Sequence, residues 1–146
     1  MLVRFLMMIC FLFVSLGITA QNWKTNFTQA QQQAASENKK LILVFQGSDW
    51  CAPCIKLNKE VWSTDEFTTY ARKNYIMVQA DFPRKKQNAL PEEQVKANAQ
   101  LAETYNKNGI FPFVVILDSQ GKVLGGTSYK KMPPKEYIAL LESFKS

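Results

Sequence analysis

The chain has no histidine, and its three cysteines stand at positions 10, 51 and 54. A protein zinc site takes four ligands, mostly Cys or His, so Cys51 and Cys54 can supply at most half of one. Gly-rich phosphate loops, internal repeats and low-complexity tracts are also missing; Gln29 to Gln33 is rich in glutamine but too short to count as a biased segment. Acidic residues are outnumbered 12 to 18 by lysine and arginine, giving a formal charge of +6, but the basic residues are spread along the chain. Arg84-Lys85-Lys86 is the one tight basic cluster, and it reads as a solvated loop rather than a nucleic-acid or anionic-membrane surface. The longest apolar run, Phe5 to Leu16, falls short of the roughly 20 residues that a bilayer-spanning helix needs.

That run still has a meaning. Arg4 supplies a basic start, Phe5 to Leu16 is almost wholly apolar, and Gly17-Ile18-Thr19-Ala20 offers small residues for cleavage. We therefore expect residues 1–20 to be an export signal, cleaved rather than kept as an anchor, with the mature chain in the periplasm or secreted. Cys10 is preceded by Met7-Met8-Ile9 rather than by small residues, so it is not a lipid attachment point and leaves with the signal. Residues 21–146 then form one domain, large enough for a core without covalent staples. Small exported domains that depend on disulfides carry more than two cysteines. The remaining pair reads as a chemical tool rather than a brace.

Periodicity sets out the elements. Trp23, Phe27, Ala30 and Ala34 recur at helical spacing, which predicts an amphipathic helix ending near Asn38-Lys39-Lys40. Leu41 to Phe45 is continuously apolar, as in a strand buried on both faces of a mostly parallel sheet. A helix through about Trp62 follows the cysteine pair. Ser63-Thr64-Asp65-Glu66 is a capping-box pattern that opens a further short helix through Phe67, Tyr70 and Ala71. Tyr75 to Ala80 reads as a strand closing at Asp81, and Phe82 to Leu90 as a polar connection. Pro91-Glu92-Glu93 suits a helix start; Val95, Leu101, Ala102 and Tyr105 give that helix its apolar face, and Asn108-Gly109 ends it. Phe113 to Leu117, the turn Asp118-Ser119-Gln120-Gly121, and Lys122 to Leu124 form a hairpin. Pro133-Pro134 starts a last helix that turns Tyr137, Ile138, Leu141 and Phe144 inward. Strands alternating with helices and finishing in a hairpin make an α/β fold, a central mixed β-sheet flanked by helices.

The chemistry-bearing stretch is Trp50-Cys51-Ala52-Pro53-Cys54. Two thiols two residues apart can close and reopen a small disulfide ring. If the second half of the motif begins a helix, unpaired N–H groups there favour a thiolate on Cys51. A structural disulfide is the bland alternative.

With Phe111-Pro112 ahead of an apolar strand and the terminal hairpin and helix, this motif resembles the thioredoxin superfamily over nearly all of the mature chain, and exported bacterial thioredoxin-like proteins in particular. The resemblance implies that Cys51 is an exposed nucleophile and Cys54 a buried resolving thiol. Pro53 would stiffen the turn and Trp50 would flank and shield the disulfide. Pro112 would be a cis proline facing it, with the Phe111 backbone open to an extended substrate. The implied activity is protein thiol–disulfide exchange, in the reducing direction, by a monomer with no metal or organic cofactor. It would act on protein dithiols and disulfides and be reset by a membrane or periplasmic redox partner. Two departures stand out. Reducing members carry a buried acid six residues before the first cysteine, where this chain has Phe45; Asp49 and Glu60 are weak substitutes for it. Ala52-Pro53 replaces the commoner Gly-Pro or the oxidases' Pro-His, so no imidazolium stabilises the thiolate. A non-catalytic binding module with a static disulfide is the alternative. A copper(I) carrier ranks third, because thiolates suit Cu(I) but the usual extra His is lacking.

Overall fold

The computed structural model describes residues 20–144. The expected export signal, Cys10 included, lies outside them apart from Ala20. Among the described residues no helix is long and apolar enough to cross a membrane.

Five strands form one sheet: β1 (Trp23–Lys24), β2 (Lys40–Gln46), β3 (Tyr75–Asp81), β4 (Phe113–Leu117) and β5 (Val123–Thr127), in the order β1-β3-β2-β4-β5. β1, β3 and β2 run parallel, whereas β4 and β5 are antiparallel additions, so the sheet is mixed as expected. The helices are α1 (Phe27–Glu37), α2 (Ala52–Leu57), α3 (Asp65–Asn74), α4 (Glu92–Tyr105) and α5 (Pro134–Glu142).

Side chains alternate across a strand, and here both faces are covered. Ile42 and Val44 of β2 join Met77, Val114 and Ile116 beneath α3, α5 and the segment after the cysteines, with Trp62 and Tyr137 fully buried. Leu41, Leu43 and Phe45 join Val78, Ala80 and Val115 beneath α1 and α4. This explains the unbroken apolar run in β2: each face needs its own apolar set.

Several expectations change. Trp23 is not helical; it pairs as a strand with Met77, and its ring meets Trp62 edge-on at 6.1 Å. The helix starts only after Asn26, whose side chain accepts the Gln29 N–H at 3.0 Å. Trp23 and Phe27 consequently pack on opposite faces of the sheet. The cap of α3 is Thr64 rather than Ser63, because Ser63 closes a π turn by donating its N–H to the Asn58 carbonyl at 2.9 Å. That turn, Asn58–Trp62, prolongs α2 and carries Val61 and Trp62 into the core. Val95 is exposed, and buried Asn98 takes an inward place on α4 instead. The same helix ends at Tyr105, before Asn108-Gly109. β5 begins at Val123 and runs on through Gly125-Gly126 to Thr127, where a side chain on Gly125 would collide with the Phe144 ring.

Candidate active site

Cys51 and Cys54 form a disulfide at the start of α2, with Cα atoms 5.2 Å apart. β2 ends at Gln46, and the chain then turns sharply: the Cys51 N–H reaches back to the Gly47 carbonyl at 2.8 Å. Gly47 is required here because a Cβ at that position would fall inside the Trp50 indole. Cys51 is the N-cap, and its Sγ accepts the Cys54 N–H at 3.3 Å. Pro53 sits in the first turn, where a helix loses nothing by lacking an N–H.

Exposure does not separate the two cysteine residues as expected. Cys51 is 4% exposed and Cys54 3% exposed. What differs is position: Cys51 precedes the helix, and Cys54 lies within it.

Trp50 is fixed from three sides. Its Nε1–H donates to the Phe82 carbonyl at 2.7 Å, its ring meets Phe111 at 5.5 Å, and the Arg84 guanidinium lies 3.8 Å from the ring centroid. Phe111 also meets Phe82 edge-on at 5.5 Å. The Phe111-Pro112 peptide bond is cis, as the resemblance implied. Ahead of it, buried Asn106 makes reciprocal bonds with the Ile110 backbone at 2.9 Å, and behind it Ser128 Oγ donates to the Pro112 carbonyl at 2.7 Å. Among the described residues, nothing takes the backbone N–H or C=O of Phe111.

Position 45 does not serve as a stand-in for a buried acid. Phe45 belongs to the α1–α4 side of the sheet and stacks on Phe113 at 6.5 Å. The polar side chains near Cys54 are Gln46 and Gln79, joined by a 3.2 Å hydrogen bond. With Ser48, Asn58 and Trp23 they line a cleft of about 290 Å³ that reaches Cys54. The two proposed substitutes are engaged elsewhere. Glu60 accepts the Tyr129 hydroxyl at 2.8 Å, and Asp49 accepts the backbone N–H groups of Arg84 at 2.9 Å and Lys85 at 3.0 Å and the Asn88 side chain at 3.0 Å. Those bonds, the one from the Arg84 backbone foremost, hold the Asp49 carboxyl below its ordinary range. Among the described residues no group of three or more Cys, Asp or Glu is placed to hold a metal.

A profile of the family described as Thioredoxin-like matches residues 22–119. The chain belongs to that family. It is 33% identical over 121 residues to the disulfide bond reductase DsbH of Chlamydia pneumoniae, a match covering 83% of this chain and 70% of that protein. A solved structure of a DsbH oxidoreductase aligns with a TM-score of 0.79 at 32% identity, covering 86% of this chain and 84% of the other. A thioredoxin from Thermus thermophilus shares the fold at 16% identity, with a TM-score of 0.62 and coverage of 86% and 87%. The thioredoxin-like fold expected from the motif and element order is thus the fold observed.

Sequence reading missed Gln46, Gln79 and Asn106, and gave Asp49 no structural task. The one available signal was alternation: Gln46 shares the parity of Ile42 and Val44, the strand face that α2 covers, whereas Phe45 does not.

Proposed function

We propose that this chain is an exported protein thiol–disulfide oxidoreductase that works in the reducing direction, with Cys51 as the attacking thiolate and Cys54 as the resolving thiol. The observation that carries this reading is the disulfide at a helix start, with Cys51 Sγ already accepting the Cys54 N–H. After reduction the same N–H faces a thiolate, and a charge-assisted bond of this type favours the ionised form. The relationship to a disulfide bond reductase supports the same chemistry.

In the first step the Cys51 thiolate attacks one sulfur of a substrate disulfide. A Cys51–substrate disulfide forms, the substrate S–S bond breaks, and one substrate thiolate departs and takes a proton from water. Cys54 then loses its proton through the polar cleft beside Gln46 and Gln79 and attacks Cys51 Sγ. The second substrate thiolate leaves and is protonated, so the substrate gains the two electrons that the enzyme's dithiol gives up. A dithiol partner in the periplasm or its membrane restores the reduced pair. The open Phe111 backbone beside Trp50 offers main-chain pairing to an extended substrate. The apolar start of the chain, Phe5 to Leu16, supports export.

Trapping tests the roles. Cys54→Ser should accumulate mixed disulfides with substrate proteins on non-reducing gels, and Cys51→Ser should not. Equal trapping by both variants contradicts the assignment.

A further inference from the structure

The Arg84-Lys85-Lys86 cluster is not a free solvated loop. It is tied to the redox site at two points. Asp49, two residues before Cys51, takes the backbone N–H groups of Arg84 and Lys85, and Arg84 lays its guanidinium over Trp50. The loop is therefore held as a wall against Trp50, the residue before Cys51.

Its charge is not spent internally. Among the described residues, none of the three side chains makes a salt bridge, and all three residues are exposed. Asp49, Asp81 and Glu92 have other partners, whereas exposed Glu93 makes no ion pair among the described residues. Asp49 accepts three hydrogen bonds, from the Arg84 and Lys85 backbone and the Asn88 side chain. Asp81 binds Ser48 through its N–H and hydroxyl, and the Phe82 N–H. Glu92, at the start of α4, pairs with Lys96 at 2.8 Å. These carboxylates still weaken the local field, Asp49 most directly through its attraction to Lys85. Lys85 and Lys86 remain exposed, while the Arg84 guanidinium lies over Trp50.

We infer that this basic wall selects substrates: the enzyme exchanges fastest with disulfides flanked by acidic residues of a polypeptide. The inference rests on the oxidoreductase reading above and adds the substrate class. The exchange steps are unchanged; the wall raises the encounter rate and orients the acidic flank alongside Trp50.

The test uses three synthetic peptides, each with one cysteine disulfide-linked to the same chromophoric thiol and flanked by three Glu, three Ser or three Lys. Reduced enzyme is mixed with each in single turnover, and release of the chromophore is followed. At low salt the Glu peptide should react about tenfold faster than the Lys peptide, in the range typical of electrostatic steering. The ratio should fall toward one near 0.5 M salt, where screening reaches only a few ångströms. It should also shrink in Lys85→Gln/Lys86→Gln, which leaves Arg84 on Trp50, and further when Arg84→Gln is added. Each variant is judged by its own Glu-to-Lys ratio, so a change in overall rate does not mislead. A ratio near one in the unaltered protein, or one that survives both variants, overturns the inference. Failure to react with all three peptides, the neutral one included, overturns the oxidoreductase reading instead.

Discussion

Trp50 donates its indole N–H to the Phe82 carbonyl at 2.7 Å, across 32 residues of sequence. This bond joins the loop that carries the cysteines to the loop that follows β3. Arg84 then closes over one side of the ring and Phe111 meets it at 5.5 Å. The surroundings of the disulfide are therefore built from three separate loops that meet on one indole.

Gly47 makes that meeting possible, since any Cβ there would overlap Trp50. Gly47→Ala should destabilise the protein by about 1–3 kcal/mol, as overpacked positions do, and should move Trp50 off Phe82. Trp emission and a denaturant titration check both. Unchanged emission and stability would show that the turn has slack.

Gln46 faces the cleft at Cys54 and bonds Gln79. Gln46→Leu should raise the pKa of Cys54 by desolvation and slow resolution of the mixed disulfide, on the order of tenfold for one pKa unit. Attack by Cys51 should change little. Quenched-flow separation of the two steps decides this; equal slowing of both steps would point to a general structural effect.

Asp49 gives a pH prediction. Its folded pKa is depressed, by the Arg84 backbone bond first. Its contribution is thus full above the unfolded value, about 3.9, and is lost as pH falls through the lower folded value. Acid should release the 84–88 loop from Asp49 and shift Trp emission in that window. Asp49→Asn should show the released signal already at neutral pH and lack the acid step. The same acid step in both proteins would mean that another group governs the loop.

The core offers a stability check. Trp62 is fully buried, with Phe67 at 4.7 Å and Tyr137 at 5.5 Å between ring centroids. Trp62→Ala should cost about 3–5 kcal/mol, read by chemical denaturation, with β1 loosened as Trp23 loses its partner. A loss below 1 kcal/mol would show that the neighbours collapse into the gap.

Much of this was legible in the sequence because it is local or periodic. The central strands announced themselves as apolar runs at Leu41 to Phe45 and Phe113 to Leu117, and Cys51-Ala52-Pro53-Cys54 carries its chemistry in its spacing. The misreadings share a cause. Trp23 fits a helical period with Phe27, but a two-residue strand has too few residues to show its own period, so the false pattern prevailed. Counting six residues back from Cys51 reached Phe45, on the far face; alternation puts Gln46 and Val44 beneath α2. The bonds from Asp49 to the 84–88 loop span 35 residues or more, and no local pattern encodes them.

The Cys51 thiolate itself can be observed in the reduced protein. Absorbance near 240 nm against pH should give a Cys51 pKa below the ordinary value of about 8.5, because the Cys54 N–H already points at its sulfur. A value at or above 8.5 would remove the helix start as the source of reactivity.

Catalysed reduction of insulin by dithiothreitol tests the central claim most directly. The protein should hasten precipitation of the insulin B chain well beyond dithiothreitol alone, and Cys51→Ser should abolish the acceleration. A folded protein whose Cys51–Cys54 pair is reduced, yet which is no faster than dithiothreitol alone, would contradict the account.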